Sequence, residues 1–331
     1  MKLSDIIFSD LYVTSEVKTS WFKPTSDSLI TQTIPPECED EILRLRAQLL
    51  IQSGNSDFRI EWPDNNGIRL RVERIPAANN ETIFICRRFR LAPGPLDSLG
   101  VPPAIAQKLL APSLKEGLVV FIGPSGAGKS TTAASFMLQR LSLFGGVGWT
   151  VENPIELPMQ GKHGKGVCYQ TEVSSDGDIG RSITKLYRAA PNIILIGEVR
   201  DGPAVREAIA AATSGHLVVI TFHANDLITG LARLARFAGD DNANVALSDA
   251  LRVAISLSLR NINDKALPGA PSLSLKDTKG TGTPPRVLSV DALWTNGEMA
   301  NALRAIIKSG DYGLLKSQID NQRRMLMNNI Q

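Results

Sequence analysis

The stretch with the clearest chemistry reads GPSGAGKST, from Gly123 to Thr131, and fits the phosphate-binding pattern G-x-x-x-x-G-K-[ST] at every position. Its glycines let the backbone turn tightly enough to aim successive N–H groups at an anionic phosphate. Lys129 adds a positive charge beside the β- and γ-phosphates, and the Ser130 hydroxyl is placed to hold Mg²⁺. The stretch predicts ATP and Mg²⁺ as cofactors, with nucleotide contacts from Gly123, Pro124, Ser125, Gly126, Ala127, Gly128, Lys129, Ser130 and Thr131.

Two other stretches end in carboxylates suited to the same site. NIILIGEVRD, residues 192–201, is an apolar strand that ends in Glu198, and this carboxylate is placed to orient an attacking water or to support Mg²⁺. TVENPIE, residues 150–156, runs into a proline turn beside Glu152 and Glu156. Spacing alone leaves open whether these two acids serve the site or cap a neighbouring helix.

Two of the chain's three histidines, His216 and His223, stand at the two ends of one apolar run in SGHLVVITFHAND. A metal site would need further ligands that this segment does not supply. One or both imidazoles are instead expected to hydrogen-bond across the crevice and contact the γ-phosphate. The third, His163, lies in GKHGKG, which reads as a solvated loop.

The elements that must position these residues fall into two domains, as a length of 331 residues with 43% hydrophobic content allows. Residues 1–97 predict a small α+β domain with a helix from Glu39 to Gln52 and period-two strands such as IRLRVERI. The Pro- and Gly-rich stretch LAPGPLDSLGVPP marks the boundary, with a linker at residues 98–104. From residue 105 to residue 331, short apolar runs alternate with helical patterns, which indicates a mostly parallel sheet.

Composition narrows the functional classes. A net charge of +3 is too small to indicate nucleic-acid binding, and the sequence does not indicate the basic channel bearing aromatic residues that a DNA translocase would call for. Cys38, Cys86 and Cys168 lie far apart, so neither a zinc site nor a disulfide framework is predicted, and a reducing compartment is expected. The sequence predicts no membrane span and no signal peptide, so membrane association would depend on partners. The polar stretch at residues 261–285 is interpreted as a long hairpin or mobile loop.

The four motif stretches, in this order and at these separations, resemble the secretion ATPase superfamily, the motors of type II secretion, type IV pili and type IV secretion. GPSGAGKST resembles its phosphate loop, TVENPIE its Asp box, NIILIGEVRD its Walker B segment and SGHLVVITFHAND its His box. FSDLYV and IRLRV resemble the family's PAS-like N-terminal domain, and the C-terminal helices resemble those of the pilus retraction motors. Pilus assembly and type II secretion ATPases usually carry a tetracysteine zinc insert and a longer N-terminal extension. Neither is seen in this sequence, so its overall build resembles the PilT and DotB type.

The resemblance implies a RecA-like P-loop ATPase core, residues 105–331, preceded by the PAS-like domain. It also implies a homohexamer with ATP between the two domains. Glu198 is similar to the catalytic glutamate, and Glu152, His216 and His223 are similar to the acid and histidines of the two boxes. Two arginines would act as fingers on the phosphates, Arg69 or Arg71 and Arg87 or Arg88, although spacing alone favours a solvated face for them. The departures from the family pattern are Asn153, Asn192 and Thr184.

The function so implied is an Mg²⁺-dependent ATPase motor for pilus retraction, type IV secretion or conjugative transfer. It would lie in the cytoplasm, peripheral to the inner membrane, and bind inner-membrane platform or secretion-channel proteins rather than nucleic acid. Two alternatives stay open: a P-loop DNA translocase, and a nucleotide-binding scaffold with little turnover, which the changed acids at positions 153 and 192 keep in play.

Overall fold

The structure is a computed structural model that describes residues 2–24, 28–52, 56–63, 68–88, 92–239, 242–261, 286–296 and 300–328. It divides into two compact units, Met1–Leu91 and Ala92–Gln331. The division comes earlier in the chain than the predicted boundary at residue 97. The reason is that Leu96 and Val101 are buried in the core of the second unit, and the backbone N–H of Leu96 donates to Gln139.

The first unit is a six-stranded sheet in which every neighbouring pair is antiparallel, in the order β3-β2-β1-β6-β5-β4. Its elements are β1 (Asp10–Val13), β2 (Trp21–Lys23), β3 (Gln32–Thr33), α1 (Glu39–Ile51), β4 (Asp57–Trp62), β5 (Ile68–Pro76) and β6 (Thr82–Arg88). Helix α1 packs its buried Ile42, Leu45 and Leu49 into the core of this unit. This confirms the α+β class predicted for the N-terminal part.

Alternation along β5 places Arg69 and Arg71 on the face away from this core, since Leu70 and Val72 are fully buried. Arg59, Arg71 and Arg87 stand directly opposite one another across three neighbouring strands. Arg71 forms an ion pair with Asp57, and Arg87 donates from Nε to Oδ1 of Asp10 at 2.8 Å. This outer face is therefore a row of cations that carboxylates partly neutralise.

Arg88 serves a different purpose, because it projects to the opposite face from Arg87. Its two Nη atoms donate to the carbonyl oxygens of Ile6 at 2.7 Å and Ser4 at 3.2 Å. The guanidinium also lies 5.5 Å from the ring centroid of Phe8. Burial lowers the pKa of Arg88. The side chain thus fastens the N-terminal segment to the sheet, which makes it a poor candidate for a phosphate ligand.

The second unit contains an eight-stranded sheet in the order β14-β13-β7-β12-β11-β8-β10-β9. Neighbours from β13 to β10 are parallel, and the edge strands β14 and β9 are antiparallel to their neighbours. The strands are β7 (Gly117–Gly123), β8 (Gly146–Glu152), β9 (Gly161–His163), β10 (Gly166–Glu172), β11 (Ile193–Ile196), β12 (Leu217–His223), β13 (Leu251–Asn261) and β14 (Arg286–Trp294). The mostly parallel sheet predicted from the sequence is confirmed.

Helices cover both faces of this sheet. They are α2 (Pro103–Leu109), α3 (Lys129–Phe144), α4 (Ile179–Leu186), α5 (Gly202–Thr213), α6 (Leu227–Ala238), α7 (Ala243–Ala250), α8 (Ala300–Ser309) and α9 (Leu315–Asn328). Strand β7 shows the two-sided burial: Leu118, Val120 and Ile122 belong to one apolar cluster, and Val119 and Phe121 to another. This explains why the strand reads as a continuous apolar run.

Two sequence interpretations change in detail. GKHGKG forms a β-hairpin between β9 and β10 rather than a solvated loop, and His163 is half-buried with Nε2 2.7 Å from the carbonyl oxygen of Met159. Residues 262–285, most of the predicted hairpin or loop, lie outside the described residues; the strands on either side of them, β13 and β14, pair antiparallel. Within the part of the chain that is described, no helix has the length and apolarity to cross a membrane.

The contrast between Arg88 and Arg69 is testable by unfolding. Arg88→Met leaves the carbonyl oxygens of Ser4 and Ile6 without their charged donor, so we expect the free energy of unfolding of the first unit to fall by about 1 to 3 kcal/mol. Arg69→Met is the matched control: its side chain is exposed, and the change is expected within about 0.5 kcal/mol of zero. Equal stability of the two variants in urea titrations would contradict the fastening contact.

Candidate active site

Parallel pairing brings the carboxyl ends of β7, β8, β11 and β12 to one edge of the sheet. His223 pairs with Gly123, where the phosphate loop begins, and Ile196 pairs with Val151, which precedes Glu152. In open parallel sheets the crevice at these strand ends is where ligands bind. The structure therefore gathers most of the residues that the motifs singled out within the second unit.

The phosphate loop has the backbone that its glycines predict. Gly126 and Gly128 have φ angles of 74° and 89°, and a Cβ at either position would meet no atom within 4 Å, so the loop is an open cradle. Gly123 is a glycine for another reason, since a Cβ there would lie 2.4 Å from the carbonyl oxygen of Leu257 on β13. The loop leads directly into α3, whose N-cap Gly128 supplies no side-chain hydrogen bond to the first turn.

Lys129 is the buried charge of the site, with 8% of its surface exposed. Its Nζ donates to the carbonyl oxygen of Pro124 at 2.9 Å, which leaves donors of the ammonium for a ligand. Burial lowers the pKa of Lys129, the nearby carboxylates of Glu198 and Glu156 oppose that shift, and Arg200 adds to it. A desolvated ammonium beside an open glycine cradle fits a bound phosphate, which would restore the charge balance.

Glu198 follows β11 and makes an ion pair with Arg200 that the motif analysis missed. Arg200 donates from Nε to Oε2 of Glu198 at 2.8 Å and donates to the same oxygen from Nη2. Its Nη1 reaches Oδ2 of Asp176 at 3.3 Å. These carboxylates raise the pKa of Arg200. The sequence indicates this ion pair only by placing Arg200 two positions after Glu198 in NIILIGEVRD. Nothing in the sequence predicts the second partner, Asp176.

Glu152, at the end of β8, is 5% exposed, and its carboxylate is already occupied. Oε1 accepts hydrogen bonds from Oγ1 of Thr150 at 2.6 Å and from Nε2 of Gln170 at 3.0 Å. A Cβ on Gly197 would lie 3.1 Å from its Cγ, so Glu152 packs directly under the backbone that carries Glu198. These contacts suit a residue that supports the β11 strand end, and the catalytic role predicted for Glu152 remains a prediction.

The two histidines are separated, which corrects the placement predicted for His216. His223 is exposed at the carboxyl end of β12, beside the phosphate loop. His216 precedes the other end of this seven-residue strand, so it lies roughly 20 Å away at the opposite edge of the sheet. There it stacks on Tyr187, with ring centroids 5.7 Å apart, and lines a cavity of about 450 Å³.

The two changed acids also differ in position. Asn192 lies at the amino end of β11, where Oδ1 accepts from the backbone N–H of Val147 at 2.8 Å, so it is not at the rim of the nucleotide site as expected. Asn153 follows β8 and donates from Nδ2 to Oδ1 of Asp176 at 2.9 Å. Only Asn153 is therefore placed to influence the active-site edge.

The described residues contain no cluster of three or more His, Cys, Asp or Glu side chains that would hold a metal ion by themselves. Mg²⁺ in nucleotide sites takes one or two protein ligands and completes its shell with phosphates and water. Ser130, half-buried in the first turn of α3, and Glu198 at the same sheet edge fit that pattern. The three buried cysteines are free thiols, and burial raises the pKa of each.

Comparison with known proteins agrees with this geometry. Residues 47–268 match the model of the family described as type II/IV secretion system protein, and the chain belongs to this family. It is 31% identical over 188 residues to the type II secretion system protein E of Klebsiella pneumoniae, covering 55% of this chain and 36% of that relative. It is 32% identical over 189 residues to the type IV pilus ATPase PilU of Pseudomonas aeruginosa, covering 57% of this chain and 47% of PilU.

Solved structures share the fold. The pilus retraction motor PilT with bound ADP is 24% identical, with a TM-score of 0.70 over 96% of this chain and 90% of PilT. The Legionella pneumophila ATPase DotB is 19% identical, with a TM-score of 0.67 over 93% of this chain and 84% of DotB. These likenesses confirm the predicted fold class, a RecA-like core preceded by a smaller N-terminal domain. The chain spans less than half the length of the two curated relatives described above.

Glu152 provides a pH-dependent test of its buried position. Burial raises its pKa above the ordinary 4.5, so the fold disfavours the ionised form. The wild-type protein should lose stability relative to Glu152→Gln as pH rises from 4.5 through the folded-state pKa, and the difference between the two should become independent of pH below 4.5. Urea titrations from about pH 4 to about pH 8 measure this. A constant difference across that range would show that Glu152 is not desolvated.

Proposed function

We propose that this chain is an Mg²⁺-dependent ATPase that hydrolyses ATP to ADP and phosphate. The observation that carries the proposal is Lys129, a buried ammonium whose pKa burial lowers, at the base of an open glycine cradle with Glu198 beside it. An anion must complete such a site, and the fit to the phosphate-loop pattern selects a nucleoside triphosphate. The similarity to PilU, a type IV pilus ATPase, and to PilT, a pilus retraction motor with bound ADP, supports this assignment.

Each residue has a defined task in this mechanism. The N–H groups of the loop and of the first turn of α3 bind the phosphate oxygens, and Lys129 neutralises charge that develops at the γ-phosphate. Ser130 and Glu198 would hold Mg²⁺, which would supply further positive charge to the bound phosphates. Glu198 orients the attacking water and accepts its proton. His223, exposed at the same edge of the sheet, would contact the γ-phosphate.

We further propose that the working form is a homohexamer at the cytoplasmic side of the inner membrane, where hydrolysis powers pilus retraction or type IV secretion through platform or channel proteins. The family membership and the names of the relatives support this direction. The alternative of a scaffold with little turnover was based on the changed acids at positions 153 and 192. It is less well supported, because Asn192 lies at the edge of the sheet opposite the phosphate loop and Asn153 has a hydrogen-bond partner. A DNA translocase would call for a basic channel bearing aromatic residues, and the sequence predicts none.

Lys129→Ala and Glu198→Gln test this proposal by their different effects. Lys129→Ala should abolish ATP binding and turnover, because the phosphates lose their buried charge. Glu198→Gln should bind ATP as the wild-type protein does while turnover falls roughly 100-fold or more, since only the charge that activates water is lost. Calorimetric ATP titration and phosphate release measure the two quantities.

Lys185→Ala, an exposed lysine on α4, is the control and should match the wild-type protein. Wild-type turnover in Lys129→Ala would show that the loop does not bind the reacting phosphates. Loss of ATP binding in Glu198→Gln would show that Glu198 serves only structure or Mg²⁺ binding and is not the group that activates water. Stimulation of the wild-type rate by single-stranded DNA would instead favour the translocase.

The arginine row generates a separate test. We propose that Arg71 and Arg87 supply fingers to a nucleotide bound by the phosphate loop of another subunit. Arg87 is the better placed of the two, since 65% of its side chain is exposed against 36% for Arg71. Its loss should lower kcat roughly 1000-fold with folding intact, because delocalised transition-state charge needs a rigid, always-ionised donor.

Mixing Arg87→Ala with Lys129→Ala protein tests whether sites are shared between chains. Some interfaces in a mixed hexamer then combine an intact loop with an intact finger, so part of the activity should return. Full activity of both Arg71→Ala and Arg87→Ala alone would show that the row is a solvated face. Failure to recover activity despite demonstrated subunit exchange would contradict sharing between subunits.

A further inference from the structure

A continuous chain of polar contacts connects three segments around Glu198 within the second unit. Asn153, after β8, donates to Oδ1 of Asp176 at 2.9 Å. The other oxygen of Asp176 accepts from Nη1 of Arg200 at 3.3 Å. Arg200 in turn donates twice to Oε2 of Glu198, from Nε at 2.8 Å and from Nη2. The orientation of the Glu198 carboxylate is thus linked to Asn153, which directly follows the neighbouring strand β8.

We propose that Arg200 is a positioning residue that orients Glu198 for attack by water, and that Asn153 and Asp176 anchor it. This inference rests on the proposed ATPase function and deepens it by naming what holds the base in place. Arg200 does not touch the nucleotide in this account. It acts through Glu198 alone.

The geometry at the carboxylate supports this role. Both donors of the guanidinium meet the same oxygen, Oε2, so the lone pairs of Oε1 stay available to accept a proton from water. Two donors from one planar group also restrict the rotation of the carboxylate more than a single ammonium contact would. The arrangement therefore fixes direction while leaving one reactive oxygen.

Asp176 makes the anchor specific. It opens a short helical turn, Asp176–Asp178, that leads into α4, and its two oxygens face different partners. An amide at position 153 supplies the N–H that one of these oxygens accepts. An aspartate at that position would place two carboxylates about 3 Å apart, which is unfavourable at neutral pH. The asparagine is thus a matched partner for Asp176 rather than a lost acid.

The competing interpretation is an ordinary surface ion pair. The side chain of Arg200 is 56% exposed and that of Glu198 28% exposed, and such pairs add little to stability. That interpretation predicts that the loss of Arg200 lowers the stability slightly and leaves turnover unchanged. The positioning role predicts the reverse, a large effect on kcat with an unchanged melting temperature.

The first experiment compares Arg200→Ala, Arg200→Lys and Arg181→Ala in steady-state ATP hydrolysis. Arg200→Ala should lower kcat roughly 10- to 100-fold, the usual effect of removing a residue that orients a catalytic group, with KM and ATP affinity unchanged. Arg200→Lys should recover only part of the rate. Arg181, paired with Asp178 in the adjacent turn, is the matched control and should leave kcat unchanged.

A second experiment tests whether Arg200 acts through Glu198. In the Glu198→Gln background, adding Arg200→Ala should lower the residual rate by less than twofold, because the group that it orients is already lost. Asn153→Asp should lower kcat in the wild-type background. The double variant Asn153→Asp with Asp176→Asn exchanges acid and amide, restores a donor to the pair, and should recover part of the rate.

The outcomes separate this inference from the proposed function. If the wild-type protein hydrolyses ATP, Lys129→Ala and Glu198→Gln do not, and Arg200→Ala is normal, only the positioning role is overturned. A full additional loss from Arg200→Ala in the Glu198→Gln background overturns it as well, since Arg200 then contributes independently. A wild-type protein without ATP hydrolysis overturns both.

Discussion

The desolvated charge of Lys129 is the constraint on which the rest of the site depends. The fold buries an ammonium that the carboxylates of Glu198 and Glu156 offset only in part, since the net shift of its pKa is downward. Such a group is costly to hold unless an anion completes its surroundings. The neighbouring cradle of Gly126 and Gly128 provides the space and the backbone donors for that anion. The proposed nucleotide binding thus follows from how the sheet buries the start of α3.

Parallel pairing in the sheet places the remaining groups around that charge. The carboxyl ends of β7, β8, β11 and β12 meet at one edge of the sheet. The backbone at these strand ends is in close contact with neighbouring segments. Gly123 accommodates the backbone of β13, and Gly197 accommodates the buried side chain of Glu152. Because interiors are close-packed, these contacts transmit the position of one strand end to the next. The candidate site is therefore closely packed on its buried side and polar on its open side, where Arg200 and Glu198 are part-exposed.

Much of this could be predicted from the sequence, because the decisive signals are local. The phosphate loop, the strand that ends before Glu198 and helix α1 follow from spacing over a few residues. The positions of His216 and Asn192 also follow from the sequence once strand direction is considered. Both residues precede parallel strands, and the amino ends of these strands lie at the edge of the sheet opposite the phosphate loop. The contacts of Arg200 with Asp176 and of Arg88 with Ser4 join distant segments, and no local pattern encodes such pairs. The boundary between the two units lies after Leu91 rather than at residue 97, because Leu96 and Val101 are buried in the core of the second unit.

If a nucleotide phosphate completes the site around Lys129, its binding should reverse the lowering of the pKa of Lys129. Proton uptake on ATP binding measures this change. Calorimetric titration of the wild-type protein with Mg²⁺ and ATP, in buffers of different ionisation enthalpy, reports protons exchanged on binding. At alkaline pH below 10.5, the ordinary value for lysine, the free site is partly deprotonated, and a bound phosphate raises the pKa of Lys129 again. We therefore predict that binding takes up protons, increasingly so as pH rises towards that value. Tight ATP binding with no proton uptake at any alkaline pH would contradict the account.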